Sequence, residues 1–318
     1  MKSLIILASS FFLLALSSVQ VQAQSSDENG RQRIALTPFI PENVEALTPQ
    51  SRDVLSNKLG QIVTKNGLGS SEFNSRFIIS ANVVVVDKHA LPGAPPRYAL
   101  DLDVTLYIGD GFEGQSFASH NMSIKGVDRS EARAFNAAMR NIKPSNDAVQ
   151  KFVEEGKQKI IDYYNNNCDV ILKNAQALEM QNRFEEALFV LTAIPDACDD
   201  CYAKALNAIQ PVFQKFIDRE CKLRLQEART IWNASLDRAA ADRAGAILAT
   251  IEPTAACYGD VLKFTKEIGE RVYKLDGREW EYILKDQEQE SERIEAARAI
   301  GVAFGNGQPD TVIYRSLW

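Results

Sequence analysis

The feature that most constrains the fold is a pattern that occurs twice in the second half of the chain. Cys168, Leu172, Ala175 and Leu178 recur as Cys221, Leu225, Ala228 and Ile231, with internal spacings of four, three and three in both copies. Downstream, Ala187, Leu191, Ile194 and Pro195 are matched by Ala244, Leu248, Ile251 and, one residue late, Pro253. Steps of three and four put these residues on one stripe of a helix. Each copy therefore predicts a helix, a turn and a second helix. Ala175 to Ala187 is 12 residues and Ala228 to Ala244 is 16, a difference of about one helical turn. The second hairpin lengthens without losing its register. A single hairpin cannot bury its apolar face, so such units must stack on their neighbours. Residues 166–275 are expected to form an all-α array of helical hairpins.

The first copy resembles a tetratricopeptide repeat. Ile171, Ala175, Leu178, Ala187 and Leu191 fall at that family's spacings, and Phe184-Glu185-Glu186-Ala187-Leu188 is similar to its second-helix signature. The second copy fits loosely and is longer. The resemblance implies close helix packing at the alanines and an exposed repeat surface that meets protein partners. In a stacked array, successive first helices run parallel, so the cysteines that open one first helix and the next sit at the same end. That logic pairs Cys221 with Cys257, and Cys168 with either Cys201 or Cys198, leaving one of the close pair free. A competing reading makes Cys198-Asp199-Asp200-Cys201 a redox pair or half of a metal site. It lacks the strand before it that a redox motif needs, and the two histidines, His89 and His120, are distant in sequence. No metal and no cofactor are expected.

The chain opens with one lysine, an apolar run from Leu4 to Leu16, and small residues at Val21 and Ala23. This reads as a signal peptide, 1–23, cleaved after Ala23. The apolar run is short for a membrane span of about 20 residues. Export places the cysteines where disulfides persist. Without that segment, 35 basic residues face 42 acidic ones, a net of −7. An acidic chain with no basic run repels phosphate backbones, which argues against nucleic acid. The expected compartment is periplasmic or extracellular. Peripheral membrane contact is left open, with no transmembrane segment, and the oligomeric state is not readable.

Residues 31–165 carry a different signal. A short apolar strand, Arg33 to Ile40, precedes a helix opened by Thr48 and Pro49 and stopped at Gly67-Leu68-Gly69. Strands follow at Phe77 to Val86, Tyr98 to Ile108 and Phe117 to Lys125, with a loop from His89 to Pro96 and a turn at Gly109-Asp110-Gly111. Two helices close the region, one from Ser130 to Ile142 and one from Ser145 or Asn146 to Tyr164. This order predicts an α+β sandwich, a mainly antiparallel sheet with helices on one face. Lys125-Gly126, followed by Ser130-Glu131-Ala132-Arg133-Ala134-Phe135-Asn136-Ala137-Ala138, resembles an envelope superfamily. It includes the TolB amino-terminal domain, the curli secretion lipoprotein and the flagellar outer-ring accessory protein. In it a strand ends in glycine and an alanine-rich helix lies close on the sheet. The resemblance implies envelope assembly and brings no catalytic residues.

The remaining chemistry is sparse. Asp101 and Asp103 alternate on one strand face, and the reading favoured here is a solvated face. His120 beside Ser119 has no acidic partner at a recognisable spacing. The last part, 276–318, is expected to be a charged surface helix from Arg278 to Ala303, broken by Gly301 to Gly307, and then a strand from Thr311 to Trp318. An aromatic strand suits docking on a sheet edge, with Val312, Tyr314, Leu317 and Trp318 as partner-binding candidates. The expected function is a non-catalytic scaffold or adaptor of the cell envelope. The alternative is a glycan- or ligand-binding module on the first sheet, with Tyr98 and Tyr107 stacking on one exposed face.

Overall fold

The starts of three helices are written in the sequence. In the computed structural model, which describes residues 34–41, 48–68, 76–280, 284 and 290–306, Thr48 accepts the amide of Ser51 at the head of α1 (Pro49–Lys65). Ser130 accepts that of Arg133 at the head of α2 (Glu131–Arg140), and Asn146 that of Ala148 at the head of α3 (Asp147–Met180). Each side-chain oxygen meets an amide that a first helical turn leaves unpaired.

Four strands form one sheet in the order β1 (Leu36–Pro38), β2 (Phe77–Leu91), β3 (Arg97–Asp110), β4 (Ser116–Asp128). β1 runs parallel to β2, and the other neighbours are antiparallel. Alternation decides the two faces. Ile79, Ala81 and Val83 of β2 and Leu100, Leu102, Val104, Leu106 and Ile108 of β3 are buried, under α1, α2 and α3. The opposite face carries polar rungs: Lys125 to Asp101, Ser123 to Asp103 and Asn121 to Thr105. The first region is thus α+β with helices on one face, as the residue order implies. β2 continues through a bulge between Val85 and Asp87 to Leu91, pairing with Arg97. The loop expected from His89 is therefore shorter, because cross-strand bonds hold His89 to Leu91 in the ladder.

Two glycines let the helices approach. A Cβ on Gly126 would lie 2.0 Å from the carbonyl oxygen of Ala134 and 2.5 Å from the amide of Ala138; one on Gly156 would lie 2.6 Å from Ile108. The strand glycine and the helix alanines that carry the sequence resemblance are therefore the contact between β4 and α2.

The second region is all-helical: α4 (Phe184–Thr192), α5 (Asp199–Ser235), α6 (Arg238–Leu248), α7 (Tyr258–Asp276) and α8 (Glu290–Asn306). The helix expected to end at Tyr164 continues as α3 to Met180, so the two regions share one helix at 165/166. Nothing interrupts it there, since Asn165 to Asn167 keep the apolar period intact between Tyr164 and Cys168. Cys168 bonds to Cys201 and Cys221 to Cys257, with Cα–Cα distances of 5.7 and 6.1 Å. Each bond ties the middle of one long helix to the beginning of the next, α3 to α5 and α5 to α7.

The end of the chain differs from the single charged surface helix expected over Arg278 to Ala303. Trp280 is buried separately, its indole donating to Asp242 at 2.9 Å. α8 passes through Gly301 and Gly305 instead of breaking there. A Cβ on Gly301 would come within 3.0 Å of the Phe189 backbone, and one on Gly305 within 2.5 Å of its ring. These glycines are contact points against α4. Ala297 is fully buried, so α8 is a packed helix and not a solvated one. The expected signal segment 1–23 and the expected strand 311–318, with Val312, Tyr314, Leu317 and Trp318, lie outside the described residues.

Candidate functional site

Where two long helices lie side by side over a short one, their stripes leave a trough. α3 and α5 form such a groove of about 340 Å³. Leu172, Ala175, Leu191, Ala208, Pro211 and Val212 supply an apolar floor, and Asp169, Lys173, Gln176, Glu179 and Lys204 form the rim. Lys204 lies 3.6 Å from Asp169, and Lys215 lies 2.7 Å from Glu179. Both rim carboxylates thus have a cation, while Lys173 is exposed and makes no ion pair among the described residues. Pro211 lies inside α5 and cannot donate to the carbonyl of Asn207, so the helix gives up one internal bond beside the groove. α8 packs on other sides of α4 and α5. It meets Phe189, which lies 200° around α4 from Leu191 at 100° per residue. Its Arg293 stands 5.5 Å over the ring of Phe213, and its Arg298 donates to Tyr202. Among the described residues the groove is uncovered, and α8 packs on the other side.

A second cluster fastens the two regions together. Arg76 donates to Asp110 and Glu113, and Asp110 caps the β3–β4 turn by accepting the amides of Phe112 and Glu113. The guanidinium stands 5.1 Å over Phe189, whose ring also meets Phe112 at 5.2 Å and Phe304 at 5.9 Å. Burial opposes the charge on Arg76, but Tyr164, Asp110 and Glu113 outweigh it and hold the guanidinium protonated. Burial pushes the Tyr164 phenol above its usual range. An ion pair stacked on an aromatic trio at this junction ties the turn of the sheet to α4 and α8.

The residues singled out from the sequence are distributed as follows. Cys198 is the free thiol, buried, with its pKa pushed up to about 11 by burial first and then by Asp196 and Asp199. A redox pair needs an accessible thiol of low pKa, and Cys201 is already bonded to Cys168. Tyr98 and Tyr107 are nine residues apart on one unbroken stretch of β3. An odd spacing sends them to opposite faces, so they do not form the stacking platform expected of a glycan site. Ser119 and His120 are likewise on opposite faces, His120 lying 5.9 Å from the ring of Phe152. Asp101 and Asp103 are met by Lys125 and Ser123. Sequence reading missed Lys173 and Lys204 as a groove rim, because helix periodicity marks buried faces and not the rims between helices. Pro211, inside a helical pattern, was the available signal.

No protein-family profile matches this chain, and no curated protein matches it. Among solved structures, a minor lipoprotein from Acinetobacter baumannii is 16% identical, over 40% of this chain and 94% of that one, with a TM-score of 0.27. A candidate lipoprotein from Caulobacter crescentus is 12% identical, over 39% and 83%, with a TM-score of 0.23. TM-scores this low define no shared fold. The two disulfides point to an exported protein. Among the described residues, no helix is long and apolar enough to cross a membrane.

Proposed function

We propose that this protein is an exported, non-catalytic scaffold of the cell envelope that holds a protein partner in the α3–α5 groove. The observation that carries the reading is the open groove itself, apolar along its floor and rimmed by charge, on helices clamped by the Cys168–Cys201 bond. An apolar floor supplies affinity by excluding water, and a charged rim supplies register. A partner segment with apolar side chains at helical or strand spacing and one acidic residue near Lys173 matches that lining. The test is site-specific photo-crosslinking in the native envelope, with the probe at Lys173 or Lys204 and a control probe at the exposed Leu223. A defined adduct at both groove positions, absent at Leu223 and lost when Ala208→Trp fills the floor, supports the reading. Equal labelling at all three positions overturns it.

A further inference from the structure

The second repeat unit is a template for what the groove of the first one holds. In each unit a disulfide sets one long helix level with the next: Cys168 of α3 with Cys201 of α5, and Cys221 of α5 with Cys257 at the head of α7. Further along, Glu179 of α3 meets Lys215 of α5, and Arg229 of α5 meets Phe264 of α7. The helices of each pair therefore run in the same direction. Seven residues bring a helix back to within about 20° of its starting side, about 10 Å further on. The residues seven past each bonded cysteine thus face one another across the pair. In the first unit these are Ala175 and Ala208, both in the lining of the groove. In the second they are Ala228 and Phe264. The same place that Ala208 leaves open is taken by a ring, and that ring is buried.

The walls around the two places correspond. Leu191 matches Leu248 on the short helices, and Val212 matches Ile268 on the later long ones; all four are buried. The contents differ. In the second unit Arg229 stands 5.5 Å over the Phe264 ring, and three residues later Trp232 is buried as well. At those two positions the first unit has Gln176, which is exposed, and Glu179, which is held by Lys215. The first unit therefore keeps the walls of an aromatic pocket and lacks the aromatic side chain.

We propose that the groove takes an aromatic side chain of the partner, seated against Ala208 as Phe264 is seated in the second unit, with a carboxylate of the same segment on Lys173. This rests on the reading of the groove as a partner site and narrows its ligand. A ring buries roughly 150–250 Å², and a ring in a pocket that excludes water is a common anchor of an interface. The groove, about 340 Å³, admits one. The charge follows from the rim. Lys173 lies one turn before Gln176 on the same face, is exposed, and makes no ion pair among the described residues. A carboxylate beside the ring complements it, whereas Asp169 and Glu179 already have their lysines.

The test pans a displayed random-peptide library on the full chain with its disulfides intact, and measures the enriched peptides on the Ala208→Phe and Lys173→Glu variants. The expected peptides share one Phe, Tyr or Trp with an Asp or Glu close by. Their affinity should fall at least about tenfold on Ala208→Phe, which supplies the ring from within, and by a similar factor on Lys173→Glu, an exposed change that leaves the urea midpoint where it was. Peptides anchored by aliphatic residues alone, and still lost on Ala208→Phe, would overturn the aromatic assignment while leaving the groove as a partner site. Finding no peptide that depends on either residue would overturn both readings. A dimer in sedimentation that Ala208→Phe abolishes would seat a second copy in the groove and overturn the proposal. The urea midpoint of Ala208→Phe is a readout that needs no ligand. It should match or exceed the parent's, because the new ring completes the packing seen around Phe264; a lower midpoint would show that the space is not shaped for a ring.

Discussion

Replacing Gly126 by alanine tests the contact on which the first region is built. The added methyl would lie 2.0 Å from the Ala134 carbonyl oxygen, 2.5 Å from the Ala138 amide and 2.9 Å from the Ala138 Cβ. Two of these three atoms are α2 backbone and cannot rotate away. Restoring ordinary contact near 3.5 Å requires α2 to withdraw by roughly 1.5 Å, which forfeits dispersion along the interface where Ala134 and Ala138 are fully buried. Overpacking usually costs about 1–3 kcal/mol, and a clash with backbone belongs at the upper end, about 3 kcal/mol. The assay is equilibrium urea unfolding followed by circular dichroism. Gly259→Ala is the control: it lies in the first turn of α7 with nothing within 4 Å of the added methyl, so it should be neutral or stabilising by up to about 1 kcal/mol. A second check is Ala138→Gly in the Gly126→Ala background, which should not restore stability because the worst contact is with the Ala134 carbonyl. Gly126→Ala within 0.5 kcal/mol of the parent, or full rescue by Ala138→Gly, would refute a backbone-to-backbone approach here.

Three further outcomes are expected. The disulfides enclose 33 and 36 residues of sequence separation, so the loop-entropy relation gives about 4 kcal/mol for each; a Cys221→Ser, Cys257→Ser chain that unfolds at the parent's urea midpoint would contradict that. Arg76→Met strands the carboxylate of Asp110, which is almost wholly buried, and should cost about 3 kcal/mol; a loss under 1 kcal/mol in the same titration would show that water reaches Asp110. Cys198 should resist thiol reagents at pH 8 in the native chain. Its folded pKa is raised from about 9 to about 11, so its contribution is complete below pH 9 and is lost as pH rises toward 11. Subtracting the stability–pH curve of Cys198→Ala from that of the parent reads this directly, and a flat difference across that window would refute it.

How much of this was legible in the sequence depended on whether a signal is local or made between elements. Caps at Thr48, Ser130 and Asn146 are decided within one turn, and each lies where its residue type indicates. Spacing in the repeats is a property of one helix at a time, and it gave the hairpins. The continuity of α3 past Tyr164 was not legible, because a boundary was inferred from the change of pattern alone, while the backbone had no proline or glycine at that point to act on it. The groove rim was hidden for a related reason. Lys173 and Lys204 are ordinary solvated lysines on their own helices and acquire a shared role only when α3 and α5 are side by side.

Gly301 and Gly305 show most clearly what one-dimensional reading leaves open. A glycine has two opposite meanings in a helical stretch: it ends the helix where the next residue must turn, or it lets a neighbour come close. Composition favours the first meaning, since Gly301, Gly305 and Gly307 fall within seven residues. The second wins because Phe189, more than a hundred residues earlier, offers a flat ring and an exposed stretch of α4 backbone to the missing side chains. The two glycines are four residues apart and so share one helix face. α8 thereby keeps its backbone bonds and gains a buried stripe of Ala297, Gly301 and Gly305 that no apolar-residue count would register. The same stripe seats the last turn of α8 against Phe112.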